Sequence, residues 1–253
     1  MRKRSLPAAA VLHCKGNSPP RVQISIMNED PIQRLKGRLI VSCQAREESP
    51  LCGPTFMAAM ARCAEIGGAA GIRANGPANI KAIKEAVSLP IIGIYKIVCP
   101  DSEAYITPTF EAAKQVADAG ADIIALDATL RPHANGLSAQ ELIAKVKTLG
   151  LPVMADISTY EEGVAAEEAG VDIVATTMSG YTPYSRQLEG PDFGLIFELL
   201  QAVRVPVIAE GRIWTPQQGR KAIDLGAHAV VIGTAITRPE VITERFAKAL
   251  GVS

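Results

Sequence analysis

The stretch Leu89–Lys96, LPIIGIYK, decides the fold. A proline stands near its start, isoleucines fill most of its body, and a lysine ends it. Proline is tolerated at the first residue of a strand, where no ladder hydrogen bond has to be donated. A short unbroken apolar run reads as a strand buried on both faces, the signature of a parallel sheet covered by helices. The design returns as LPVMADIS (151–158) and VPVIAEGR (205–212). A second pattern, helix end then glycine then strand, recurs in DAGADIIALD (118–127), EAGVDIVATT (168–177) and DLGAHAVVIG (224–233). The two patterns alternate, so a pair of βα units repeats every 50 to 60 residues or so.

Extending the pattern outward predicts strands at Arg38–Cys43, Ala70–Ala74, Ile91–Ile97, Asp122–Asp127, Val153–Ile157, Asp172–Thr176, Val207–Glu210 and Ala229–Ile232. Segments with helical spacing of apolar residues lie between and after them: Thr55–Glu65, Ala78–Val87, Thr109–Ala119, Ala139–Thr148, Tyr160–Ala169, Phe193–Ala202, Pro216–Asp224 and Glu240–Leu250. Ser138 with Glu141 and Thr159 with Glu162 have capping-box spacing. Thr215 before Pro216 reads as an N-cap followed by proline at the first helical position. Gly120, Gly150, Gly170, Gly226 and Gly251 stand where helices end in a left-handed residue. Eight strands strictly alternating with eight helices make an α/β fold, a (β/α)8 TIM barrel, in one domain over residues 31–253. An open doubly wound sheet is the alternative, but no GxGxxG follows the first strand.

Composition agrees. A chain of 253 residues is the usual size of such a barrel. Lysine plus arginine balances aspartate plus glutamate, 26 against 26, which removes a whole-chain electrostatic case for nucleic acid or anionic membrane. Aromatics are 4% of residues, too few for base-stacking platforms. No apolar run is long enough to span a membrane. The five cysteines form no CxxC pair and read as reduced thiols of a cytoplasmic protein. The three histidines have no metal-ligand spacing, so no metal is expected. Residues 1–30 begin with Arg2, Lys3 and Arg4 before a short apolar run that mimics a signal peptide but lacks a cleavage site. They are expected to form a disordered extension, with Met27 a candidate initiator.

In a barrel the functional face lies at the C-terminal ends of the strands. Here those ends carry Gln44, Arg73 with Asn75, Lys96, Asp127, Asp156, Thr177, Glu210, and Gly233 with Thr234. A purely structural barrel has little reason to bring three carboxylates, an arginine and a lysine to one rim. Individually, Asp127 can pair Arg73 or cap a loop, and Thr177 can serve a loop hydrogen bond. The last two strands end in EGR (210–212) and GTA (233–235). Glycines there let backbone N–H groups approach a phosphate, with Arg212 and Arg238 as nearby charges. Trp214 reads as an anchor of the loop after the seventh strand.

These segments carry a family resemblance. VSCQA (41–45), GIRANG (71–76), GIYK (93–96), LDAT (126–129), ADIST (155–159), TTMSGYT (176–182), AEGRIWTP (209–216) and VVIGTAITRP (230–239) together resemble the bacterial N-acylglucosamine-6-phosphate 2-epimerases. The resemblance covers about residues 30–250, with RPHANG (131–136) its least typical loop. It implies interconversion of N-acetylmannosamine 6-phosphate and N-acetylglucosamine 6-phosphate in sialic acid breakdown, with no cofactor. It implies Lys96 as the base at C2 and Glu210 as the carboxylate assisting proton movement. Gln44, Arg73 and Asp156 would hold the sugar and N-acyl group. Gly211, Arg212, Gly233 and Thr234 would hold the phosphate. The implied partner is a small sugar phosphate, with a homodimer possible.

The chemistry suits these residue types. Epimerisation at C2 removes a proton alpha to the C1 carbonyl of the open-chain sugar and returns one on the other face. A lysine base has to be neutral, so its reference pKa of about 10.4 has to fall. Burial and Arg73 push it down, whereas Asp156 and Glu210 push it up. The expectation is that apolar packing and the cationic neighbour prevail. A Schiff-base aldolase using Lys96 as nucleophile, a ribulose-phosphate 3-epimerase-like enzyme and a sugar-phosphate sensor are the competing readings.

Overall fold

The computed structural model describes residues 30–100 and 102–251. The expected disordered extension, Asp30 apart, lies outside the described residues. Eight parallel strands close into a barrel in sequence order: β1 (Arg38–Cys43), β2 (Gly71–Asn75), β3 (Ile91–Ile94), β4 (Ile123–Asp127), β5 (Val153–Asp156), β6 (Ile173–Ala175), β7 (Val207–Glu210) and β8 (Ala229–Ile232). The helices are α1 (Pro31–Arg34), α2 (Pro54–Ile66), α3 (Pro77–Ala86), α4 (Phe110–Asp118), α5 (Ala139–Lys147), α6 (Tyr160–Glu168), α7 (Phe193–Ala202), α8 (Pro216–Leu225), α9 (Thr234–Thr237) and α10 (Pro239–Ala249).

Successive strand side chains point to opposite faces. One set, including Ile40, Ile92, Ile123, Met154, Ile173, Ile208 and Val231, forms the buried cluster inside the barrel. The alternate set, including Val41, Ile72, Ile124, Val153 and Val207, packs outward against helix residues such as Met57, Ile80 and Leu142. The interior parity, followed toward the strand C-termini, falls on Gln44, Arg73, Lys96, Asp127, Asp156, Thr177, Glu210 and Gly233. Apolar residues fill the barrel, and the next position along each strand line is the polar rim. Gly93 serves the outer layer. A Cβ there would lie 2.5 Å from Val116 Cγ1 and 2.7 Å from the Ala121 Cβ, so the glycine of LPIIGIYK lets α4 and the turn after it pack close to β3.

The predicted elements hold to within a residue or two at most ends. Both expected capping boxes form, and Thr215 makes a third with Gln218. Gly226 is itself a left-handed cap, and Gly120, Gly150, Gly170 and Gly251 follow their helix ends with positive φ. Three differences have physical reasons. β3 stops at Ile94 rather than Ile97, because the chain there leaves the barrel ladder to pair with a returning segment. Lys96 forms an antiparallel bridge with Ile106, Ile97 N donates to Tyr105 O at 3.0 Å, and Thr107 N donates to Tyr95 O at 2.8 Å. β6 ends at Ala175, where a 3-10 turn over Thr176–Met178 takes over. The short helices α1 and α9 were not expected. Each is four residues long, below the length at which apolar periodicity registers.

Candidate active site

Arg73, on β2, is the hub of the rim and is 1% exposed. Its Nη1 donates to Asp156 Oδ1 and to Glu210 Oε2, both at 3.0 Å, and its Nη2 donates to Asp156 Oδ2 at 2.5 Å. The two carboxylates come from β5 and β7, and Thr177 Oγ1 bridges them at 2.6 Å from Asp156 Oδ1 and 3.1 Å from Glu210 Oε2. Burial opposes the Arg73 charge, but Asp156 and Glu210 outweigh it and hold the guanidinium above its ordinary range. Burial pushes the Glu210 carboxyl up from the ordinary range, Arg73 opposes it, and the negative charge of Asp156 adds to it. Two polar atoms of the site, Arg73 Nε and Gln44 Oε1, are buried without a partner within the described residues. Buried polar atoms normally find one. A donor and an acceptor are thus left for a bound molecule, while Gln44 Nε2 is held on Ser42 Oγ at 2.8 Å.

Lys96 stands two residues beyond β3, its backbone N–H fixed on Asn75 Oδ1 at 2.8 Å. Its pKa is lowered to about 8, first by burial and then by Arg73, with Glu210 and Asp156 opposing and Arg46 assisting. The side chain is nevertheless reached by solvent. The burial is crowding by protein at the barrel mouth rather than enclosure, and a ligand that displaces that solvent deepens it. The balance is the one expected: desolvation and the cation prevail over the carboxylates. β3 and β7 are diametrically opposed in the ring of eight, so Lys96 and Glu210 approach the centre from opposite sides.

Asp127 does not pair Arg73. Its Oδ1 accepts from Thr129 N at 3.1 Å and Thr129 Oγ1 at 2.6 Å, and its Oδ2 from Arg131 at 2.5 Å. Burial pushes its carboxyl up. It caps the loop after β4, the RPHANG loop, and Arg131 in turn lies 5.7 Å over the Tyr105 ring.

The loops after β7 and β8 have the expected glycine turns. Gly211 has φ 109° and Arg212 follows at φ 53°. Gly233 caps α9, whose first N–H groups, like those of any helix, lack intrahelical partners. Thr237 Oγ1 pins α9 to β1 by donating to Ser42 O at 2.9 Å. The Arg212 guanidinium is already engaged: Nε donates to Gly190 O at 2.9 Å, Nη1 to Ser179 O, and the group lies 5.6 Å over the Tyr181 ring. It thereby ties down the loop after β6. Arg238 pairs with Glu240 at 2.8 Å. Trp214 anchors its loop as expected, with Arg245 3.9 Å over the indole and its backbone N–H on Gln218 Oε1 at 2.7 Å. Among the described residues no group of three histidine, cysteine or acidic side chains is placed to hold a metal ion.

Sequence reasoning noticed Thr177 and Asp127 without assigning them, and missed Tyr105 and Arg131. The spacing D-x-T-x-R (127–131) is a usable signal for Arg131. Tyr105 has none, since it lies in an irregular loop.

The chain is similar to known proteins over most of its length. The family model described as "Putative N-acetylmannosamine-6-phosphate epimerase" matches residues 57–252. A relative in Caldanaerobacter subterraneus is 55% identical over 87% of this chain and 94% of its own. One in Clostridioides difficile is 50% identical over 88% of this chain and 100% of its own. Both are named N-acetylmannosamine-6-phosphate 2-epimerase with the same qualifier. A solved structure of the N-acetylmannosamine-6-phosphate 2-epimerase from Clostridium perfringens is 50% identical, with a TM-score of 0.84 over 86% of this chain and 95% of that one.

Proposed function

Because the chain belongs to the N-acetylmannosamine-6-phosphate epimerase family, we propose that it interconverts N-acetylmannosamine 6-phosphate and N-acetylglucosamine 6-phosphate, without metal or organic cofactor, in sialic acid catabolism. The observation that carries this reading is a lysine with its pKa lowered to about 8 beside a buried Arg73–Asp156–Glu210 cluster. The phosphate is anchored by the backbone of Gly211, Arg212, Gly233 and Thr234. Gln44, Arg73 and Asp156 hold the sugar. Neutral Lys96 takes the C2 proton, and the electron pair moves into the C1–C2 bond as the C1 carbonyl becomes an enolate oxygen. That charge is stabilised by fixed donors, for which the unpaired Arg73 Nε is available. A proton delivered to the other face of C2 gives the epimer. Glu210, opposite Lys96 and with its carboxyl pushed up, assists that movement. Atoms and electrons balance without an oxidant or reductant.

The test is N-acetylmannosamine 6-phosphate in deuterated water with a chelator present, followed by NMR. N-Acetylglucosamine 6-phosphate carrying deuterium at C2 is expected, and full internal return of the proton would give the epimer without label. Absence of any new epimer overturns the function. Borohydride added during turnover should leave Lys96 unmodified; covalent trapping there would establish the Schiff-base alternative.

We also propose that the protein is a cytoplasmic homodimer. Among the described residues Cys43, Cys52, Cys63 and Cys99 are free thiols, which is compatible with a reducing compartment. Helix α10 has no buried residue, and Phe246 within it and Leu250 just after it are 69% and 79% exposed, an apolar face suited to a second copy. Light scattering at micromolar concentration should give twice the chain mass, and a monomer there would refute the dimer. Recovery of the native protein from an exported fraction would refute the location.

A further inference from the structure

We propose that Tyr105 is a substrate-contacting, specificity-determining residue whose phenolic hydroxyl donates to the N-acyl carbonyl of the sugar phosphate. The assignment rests on the function proposed above. The segment carrying Tyr105 is stitched between β3 and β4 from both sides: Ile97 N donates to Tyr105 O at 3.0 Å and Asp127 N to Ile106 O at 2.8 Å. Thr107, fully buried, has φ 49°, a conformation a β-branched residue holds only when its surroundings over-determine it. Its Oγ1 donates to Ala125 O at 2.7 Å and accepts from Tyr95 N at 3.1 Å. Strained, doubly bonded backbone of this kind gathers at ligand clamps, and here it fixes the tyrosine two residues before it.

The half-buried Tyr105 ring packs on the cluster filling the barrel interior. Its hydroxyl reaches toward Met178, which follows β6, three strands further round the mouth. Behind the ring stands Arg131, held by Asp127. The only acceptor for the hydroxyl among the described residues is Met178 Sδ at 4.0 Å, a weak one. Buried phenols usually find a better partner. Burial first, then Asp127, raises the phenol pKa, so the group stays a donor at neutral pH.

The rest of the mouth is allotted. Phosphate lies at the ends of β7 and β8, and C2 lies over Lys96 after β3. The N-acyl substituent on C2, expected beside Asp156 at the end of β5, then extends into the quadrant above β4 to β6, where Tyr105 and Met178 form the wall. An apolar ring face with one weakly paired donor suits a small acyl group.

Calorimetric titration of wild type and Tyr105→Phe with N-acetylglucosamine 6-phosphate and with glucosamine 6-phosphate tests this. Loss of one neutral hydrogen bond should weaken the acetylated ligand about fivefold. The deacylated ligand should be unaffected, and Tm nearly unchanged. Equal affinities of the two proteins for the acetylated ligand overturn the assignment, as does an equal loss on both ligands. A wild type that binds neither sugar phosphate overturns the underlying function and this assignment with it.

Discussion

Replacing Lys96 by methionine lowers kcat by at least about 10³-fold while the barrel stays folded, because the general base is removed and nothing on that side of the mouth replaces it. The active form of a lysine base is the neutral amine. With a pKa of about 8, roughly one molecule in ten carries it at pH 7. In wild type, kcat/KM is expected to rise about tenfold per pH unit below 8 and to level off above it. The stability consequence has a definite sign. The folded-state pKa lies below the value of 10.5 for an unperturbed lysine, so between about 8 and 10.5 the folded chain binds fewer protons than the unfolded one. Wild-type stability therefore gains across that window as pH rises and carries the full penalty of the crowded ammonium below it. Methionine removes the penalty, so the variant should be no less stable than wild type at pH 7. A variant within tenfold of wild-type kcat, or a pH profile flat between 6 and 8, would sink the assignment of Lys96 as base.

LPIIGIYK shows what is legible in a sequence and what is not. Its apolar run and proline gave a buried parallel strand, and the alternating partners of that pattern gave the count of eight. Such signals are local, depending only on side-chain period and punctuation. The rim was legible for the same reason, since a strand line that turns polar at its end exposes that residue to the mouth. The extent of the third strand was not legible. Whether Tyr95 to Ile97 continue the barrel ladder or pair with Tyr105 to Thr107 is decided by a contact ten residues away, and both choices suit β-forming residues. Arg212 was visible as a charge beside a glycine turn, but its commitment to Gly190 O and Ser179 O depends on a loop more than twenty residues earlier in the chain. The pairing of Asp127 was open between Arg73 and a loop cap. Three-dimensional distance gave it to Thr129 and Arg131, because Asp156 and Glu210 already saturate one edge of Arg73.

Arg73→Met is expected to destabilise the protein by about 3–5 kcal/mol, as breaking a buried ion pair does, lowering Tm by roughly 10 °C. Methionine fills much of the volume, so the effect is electrostatic rather than a cavity. What remains is Asp156, 0% exposed, and Glu210, 13% exposed, with Thr177 as their shared donor. Two carboxylates sharing one hydroxyl donor repel, Asp156 has no water to spread its charge, and Glu210 has little. Glu210 is already pushed up by burial, and Arg73 is the largest influence holding it down. Without Arg73 its folded pKa climbs further above the unfolded value of about 4.3. The folded state then holds a proton that the unfolded state releases, so stability is greatest at acid pH and is lost as pH rises through the folded pKa. The variant should accordingly be closer to wild type at pH 5.5 than at pH 8. Adding Glu210→Gln should recover much of the loss, since one of the two like charges disappears, and the cycle of single and double variants measures the coupling. Lysine at position 73 should not rescue, because one ammonium cannot reproduce the two-pronged contact with Asp156. An Arg73→Met Tm within about 2 °C of wild type, or a loss equal at pH 5.5 and 8, would show that the cluster is solvated and that its carboxylates do not need the arginine.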